Sequence, residues 1–339
     1  IQFAITTPEG APLGFSRFNQ DIAISRDGTH IVYNGRAATG GPQLNLRHMD
    51  QLVGAPLRGG EGGLGPFVSS DGEWIGFIGT TSRTILQKVS IFGGPPVMLT
   101  ESPAPVNGAS WGTDDQIIFG TFQNGLFRVS GGGGEPEVLT TLDSEQGETS
   151  HQWPFIIPDR EAVVFMISAG ATRQLAVLEL ATGEVTQLGL AGSSPHYVST
   201  GHLVYTAEDG SIRAVPFDVT ALGVTGNPVP LVEGVAVKTA GAANFSISDN
   251  GRLVYALGAG GGGGQNSLVW VDRAGREDPL GLPLENYYWP RVSSDGTRVA
   301  VSMNDPDNED VWVSELVRGT LTNLTTDAAR DNFPLWAPD

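Results

Sequence analysis

Three triplets carry side chains suited to gripping a ligand, His151-Gln152-Trp153, Tyr287-Tyr288-Trp289 and Asp331-Asn332-Phe333, and Asn19-Gln20-Asp21 holds the matching place at the first repeat without a proline. Each of the three stands directly before a proline (Pro154, Pro290 and Pro334), while His196 and Arg291 directly follow one. Aromatic faces mixed with imidazole, amide and guanidinium groups are what a recognition surface for a protein, peptide or small ligand needs. The plain alternative for Trp153 and Trp289 is packing, because an indole buries a large area between neighbouring elements.

Other chemistry is thinner. Asp305, Asp307, Asn308, Glu309 and Asp310 form an acidic loop, and Ca²⁺ takes six to eight oxygen ligands of this kind. The EF-hand pattern fails, since Asp310 stands where its glycine belongs and Leu316 where its last glutamate belongs. The loop reads as a solvated hairpin, with Asp305, Asp307 and Asp310 a weak Ca²⁺ candidate and no other cofactor expected. Gly60, Gly62 and Gly65 match G-x-G-x-x-G, but a strand follows instead of a helix, and Glu61 would repel phosphate. There is no cysteine and no G-x-S-x-G elbow, and five histidines (His30, His48, His151, His196, His202) show no triad by spacing. No catalytic residue is assigned.

The 339 residues carry a formal charge of −18, which opposes phosphate backbones and argues against a nucleic-acid partner. No run of about 18 apolar residues occurs, so no membrane insertion is expected. The chain has no initiator Met and no leader, which reads as a processed or excised fragment.

The elements that position these residues recur. Asp27, Asp71, Asp114, Asp159, Asp295 and Asp339 mark one turn, with Thr200 and Asn250 filling two further places. The period is about 45 residues, that of a propeller blade. Asp-Gly there makes a tight hairpin, the aspartate bonding backbone two residues on and the glycine accepting positive φ. A strand precedes each turn, an apolar strand follows, a third alternates, and a Gly-rich turn leads to a fourth ending in Leu-Thr. Helices should be nearly absent, since no stretch keeps apolar residues three and four apart. The repeats run 21–62, 63–104, 105–148, 149–192, 193–241, 242–285 and 286–329, within a single domain spanning 1–339. Residues 1–8 and 330–339 are expected as closing strands. The predicted fold is an all-β propeller of four-stranded antiparallel blades, seven full and a partial eighth, or a seven-bladed ring. The recurring prolines Pro66, Pro154, Pro195, Pro290 and Pro334 suit strand starts, because proline lacks a donor. Residues beside them then converge on one mouth of the central channel.

SRDG, SSDG and FPLWAPD, with Leu99-Thr100, Leu139-Thr140 and Leu324-Thr325 closing units, resemble the TolB-type, WD40-like propeller repeats of bacteria. GGPPVMLT, NGASWGTDDQIIFG and HQWPFIIPDREAVVF look like the propeller region that follows the kinase domain in many bacterial serine/threonine kinases. Kinase signatures themselves are absent from the chain. The resemblance implies a non-catalytic sensor or scaffold region of a larger protein, in an extracytoplasmic location. Its rivals are a propeller enzyme of the lactonase or lyase type, for which His151, His196, Asn244 and Asp331 are the residues placed, and the gating propeller of a prolyl-oligopeptidase-type peptidase.

Overall fold

The computed structural model describes residues 5, 7, 13–37, 41–258, 267–271, 276–283, 285, 287–305, 308–327 and 329–337. All regular structure among them is β. The first sheet runs Ile22–Ile24, His30–Arg36, Pro42–His48 and Ala55–Glu61, each strand antiparallel to the next. The second (Gly63–Val68 to Val97–Glu101), third (Val106–Trp111 to Glu137–Val138) and fourth (Ser150–Ile156 to Val185–Ala191) repeat that order. In the fifth, Ser193–Val198, His202–Thr206 and Ile212–Asp218 are followed by two short strands that both pair with the third. The sixth repeat holds the pairs Phe245–Ile247 with Leu253–Tyr255 and Val269–Val271 with Glu277–Pro279, and the seventh sheet spans Tyr287–Val292 to Thr320–Asn323.

The repeated turn is built from two side chains. In Ser25-Asp27, Ser69-Asp71 and Ser293-Asp295 the serine hydroxyl donates to the aspartate at 2.5–2.6 Å. The same carboxylate accepts the N–H of Thr29, Glu73 or Thr297, two residues on. The N–H that opens the second strand donates back to the serine oxygen at His30, Trp74 and Arg298. Leu-Thr has a similar logic: Thr140 Oγ1 accepts the N–H of Leu126, and Thr325 Oγ1 that of Val311, so a hydroxyl completes the third strand's ladder.

The prolines correct the sequence reading. They stand inside the inner strands, at register shifts between Leu64 and Phe67, Gln152 and Phe155, Ser193 and His196, and Tyr288 and Arg291. The residue before each has left-handed backbone: Gly65 (φ 56), Trp153 (53), Ser194 (49), Trp289 (52) and Phe333 (57). At the four that stand in strands this is a β-bulge with its first residue in the αL region, which bends the strand, and proline fits because no ladder donor is lost there.

The chain divides into two compact units, residues 1–261 and 262–339. In the first unit, consecutive sheets pack side by side, and the sixth-repeat pair Phe245–Ile247 packs against the first sheet. Each junction has its own apolar cluster, from Val32, Leu44 and Phe77 between the first two sheets to Val204, Ala243 and Phe245 between fifth and sixth. At the junction of sixth and first, Ile22, Ile24 and Tyr33 meet Val254 and Ala256. Polar bonds reinforce it: Asn244 Oδ1 accepts the Asp21 N–H, Arg26 pairs with Asp249 at 2.9 Å, and Arg252 and Asn250 donate to the carbonyls of Gly28 and Asp27. Six sheets thus follow one another in a closed cycle.

The expected closing strands differ in detail. Residues 1–4, 6 and 8 lie outside the described ones, and Ile5 packs on the cluster between the sixth and first sheets. In the second unit Phe333 and Trp336 lie against the seventh sheet without forming a strand.

Candidate functional site

The inner strands of all six sheets in the first unit surround one cavity of about 340 Å³. The bulges bring Gly65, Gly108, Trp153 and Ser194 to its wall, together with Asn19 and Gln20. Gly108 has φ +86, and a Cβ there would come within 2.7 Å of the Trp153 ring, so glycine is what lets the third and fourth sheets approach. Phe67, Trp111, Phe155 and Ile118 add an apolar lining. Thr113, Asp114, Asp159, Arg160 and Glu161 are exposed lining residues on or beside the turns, and they mark the mouth.

The lining arginines are already engaged. Arg26 is paired with Asp249, Arg128 with Glu137 at 2.7 Å, and Arg160 donates to the carbonyls of Val219 and Thr220. His196 sits between the rings of Phe155 (4.8 Å) and Phe245 (4.9 Å). Its side chain keeps partial access to the cavity, yet the surrounding protein pushes its pKa down to about 4, against a small upward pull from the Ser194 carbonyl. At neutral pH it is therefore an uncharged ring. Beside the cavity Lys238 is ion-paired with Asp21, which is wholly buried. Asp21 also accepts from Ser16 N–H, Asn34 Nδ2 and Asn244 Nδ2, and burial draws the lysine pKa down while Asp21 pulls it up.

Of the residues expected at the channel mouth, Trp153 and His196 line this cavity, although Trp153 is 4% exposed and donates its indole N–H to the Ala240 carbonyl at 2.8 Å. His151 and Gln152 do not form a surface: they are 1% and 4% exposed. His151 Nδ1 takes the Thr140 hydroxyl at 2.7 Å and Nε2 faces Glu148 Oε2 at 2.9 Å, with Phe165 against the ring. This Thr-His-Glu chain resembles a catalytic relay, but Thr140 is buried and its oxygen accepts the Leu126 N–H, so it clasps the crossover between third and fourth sheets. Burial lowers the His151 pKa, with Glu148 opposing.

Tyr287, Tyr288, Trp289, Arg291, Asp331 and Asn332 belong to the second unit. Tyr287 is buried and donates its hydroxyl to the Pro283 carbonyl, which removes it from any surface. Tyr288 is half-buried, and the Trp289 and Phe333 rings meet at a tilt with centroids 4.5 Å apart. Arg291 is exposed and its carbonyl accepts the Trp336 indole N–H; the Asp331 N–H donates to Glu309, and Asn332 is exposed. In the acidic loop, Asp307 and the Asp305 side chain lie outside the described residues. Asp310 is buried among Asn308, Asn323 and Thr325. Among the described residues no three His, Asp or Glu side chains gather closely enough to share a metal ion.

Sequence reasoning missed Phe67, Trp111 and Phe155, and named Asn19 without assigning it a role. Phe67 and Phe155 directly follow a recurring proline, a signal available in the sequence. Asn19 precedes the first repeat, where no proline marks the strand.

The architecture is that of an all-β propeller. Among solved structures the chain resembles TolB from Agrobacterium tumefaciens, with 15% identity over 70% of this chain and 90% of that one, at a TM-score of 0.52. It also resembles an oligogalacturonate lyase from Vibrio parahaemolyticus, with 12% identity over 91% of this chain and 92% of that one, again at 0.52. At such identities the likeness is one of fold. No family model matches the chain, and no curated protein matches it in sequence.

Proposed function

We propose that this chain is a non-catalytic binding module whose first unit receives a small ligand or the end of a peptide or protein segment in the cavity of its six-sheet cycle. The observation that supports this is the cavity's construction: about 340 Å³, contributed to by every inner strand, with aromatic walls and a charged mouth. Concave, largely apolar sites with a few placed polar groups are the usual form of small-ligand pockets. The enzymatic alternatives gain less support, because the lining arginines are held by protein acceptors. A sensor or scaffold role in a larger protein, such as a bacterial receptor-type kinase, and an extracytoplasmic setting rest on the sequence resemblance. Trp289, Arg291 and Asn332 are the exposed residues of the second unit that a protein partner would meet.

Peptides selected from a random displayed library on the intact chain test the cavity directly. Thr113→Trp combined with Glu161→Trp places two indoles at exposed positions of the mouth. Enriched peptides should lose at least about tenfold in affinity for this variant, with its melting temperature unchanged. Selection without enrichment, or equal binding by the blocked variant, refutes the reading.

A further inference from the structure

His196 stands on the fifth inner strand, half-buried in the cavity wall, with its ring held between those of Phe155 and Phe245. Its Nδ1 lies 3.2 Å from the Ser194 carbonyl. A carbonyl can only accept, so Nδ1 carries the proton of the neutral ring and Nε2 is left as a lone pair. That nitrogen has no hydrogen-bond partner among the described residues, and it is not sealed from solvent. Gln20 supplies a second idle acceptor on the wall. Its Nε2 is spent on the carbonyls of Ile22 and Phe245, at 2.8 and 2.5 Å, while Oε1 has no partner among the described residues and is not sealed either. His196 touches the Phe245 ring and Gln20 holds its carbonyl, so both residues are tied to the same residue of the sixth inner strand.

The donors of the same wall are engaged. Trp153 gives its indole N–H to the Ala240 carbonyl and Trp111 gives its own to Asp115 at 2.9 Å. Arg26, Arg128 and Arg160 hold protein acceptors. The wall therefore asks its occupant for donors. At the mouth, Asp159 and Glu161 are exposed on either side of Arg160 in sequence, whose guanidinium is turned to the Val219 and Thr220 carbonyls. The chain as a whole carries −18, a field that draws cations and repels anions. Phe155 and Trp111 add aromatic faces, which attract a cation. Because the imidazole is uncharged at neutral pH, it does not repel one.

We propose that the cavity takes an alkylammonium group, whose N–H bonds donate to His196 Nε2 and Gln20 Oε1 while its apolar stem lies on the aromatic wall. The inference rests on the channel-binding reading above.

The test is an NMR titration of the full chain with n-butylammonium chloride, followed on the tryptophan indole N–H signals. n-Butanol and sodium butyrate, of the same chain length, serve as the neutral and anionic controls at matched ionic strength. Wild type should saturate with the ammonium below about 50 mM, the range for a fragment of this size. Butanol should bind at least about fivefold more weakly, and butyrate should not bind. His196→Phe keeps a ring between Phe155 and Phe245 and removes the acceptor, so it should weaken ammonium binding at least about fivefold. Should that variant not fold, Asp159→Asn combined with Glu161→Gln, both at exposed positions, carries the comparison: ammonium binding should fall about threefold while butanol binding holds. No saturation by the ammonium, equal or stronger binding of either control, or unchanged ammonium affinity in the variant used overturns the inference. Library peptides that bind wild type and not the mouth-blocked variant, together with no saturation by the ammonium, remove this inference alone. Ammonium binding that survives the mouth block removes the channel reading along with it.

Discussion

Trp153 and Trp289 hold the same place in their repeats, directly before the bulge proline, with φ of 53° and 52°. Trp153 is 4% exposed, joins the cluster of Ile157, Met166, Leu175 and Leu203, and spends its indole N–H on Ala240, 87 residues on. Trp289 is 37% exposed and meets Phe333 alone among the described rings. The same Trp-Pro pair therefore takes the same backbone, while the burial depends on what the chain supplies from elsewhere. Bulge geometry is local; a closed cycle of sheets is not.

The sharpest way to break this comparison is to open the cycle. Lys238→Met should cost the first unit about 3 kcal/mol, because it leaves a wholly buried carboxylate without its cation, although three other donors still hold Asp21. Hydrogen exchange resolved by segment should show lost protection at the first sheet and at 235–257, with the seventh sheet unchanged. Equal loss in both units would mean that stability is shared and that the contrast between them is false.

The two tryptophans offer the next test. Trp153→Ala removes a buried indole and its hydrogen bond, at an expected cost nearer 3 kcal/mol than the upper end of about 5, since the cavity beside it admits water. Trp289→Ala should cost about 1 kcal/mol, the worth of one partly exposed aromatic contact. Denaturant titration of the two variants measures the gap. Comparable losses would show that Trp289 is buried by something the seventh sheet alone does not provide.

These contrasts also mark what the sequence carries. The Ser-x-Asp-Gly turns and the Leu-Thr endings are written in adjacent residues, and the all-β fold of four-stranded antiparallel sheets follows from them. The prolines were visible, but their place at a bulge was not, because a strand start and a bulge tolerate a missing donor equally well. The burial of His151 follows from Thr140 and Glu148, whose side chains fold back over the ring along a crossover that reads as plain polar loop. Lys238 meets Asp21 across 217 residues, and nothing near either one names the other. The burial of Asn19 was hidden for the same reason: Gly65, 46 positions on in sequence, lies against it.

The smallest contrast is one of pH. All five histidines lie in the first unit. His196 has a folded pKa of about 4 against its ordinary 6.5, so the unfolded chain takes up a proton that the folded ring refuses. Its contribution to stability is whole above about pH 6.5 and is lost as the pH falls toward 4, at no more than about 1.4 kcal/mol per pH unit. His30 and His151, also shifted down by burial, act in the same direction. In the seventh sheet Asp295 is held down to about 2 by the Ser293 hydroxyl and by Thr297, so its charge persists through this window. Between pH 6.5 and 4.5 the first unit should lose exchange protection, after correction for intrinsic rates, while the seventh sheet keeps its own. His196→Phe should flatten the first unit's slope, because a phenyl ring fits between Phe155 and Phe245 and binds no proton. A slope unchanged by that substitution would place the acid sensitivity in other groups and remove His196 as the ring that keeps the cavity wall uncharged.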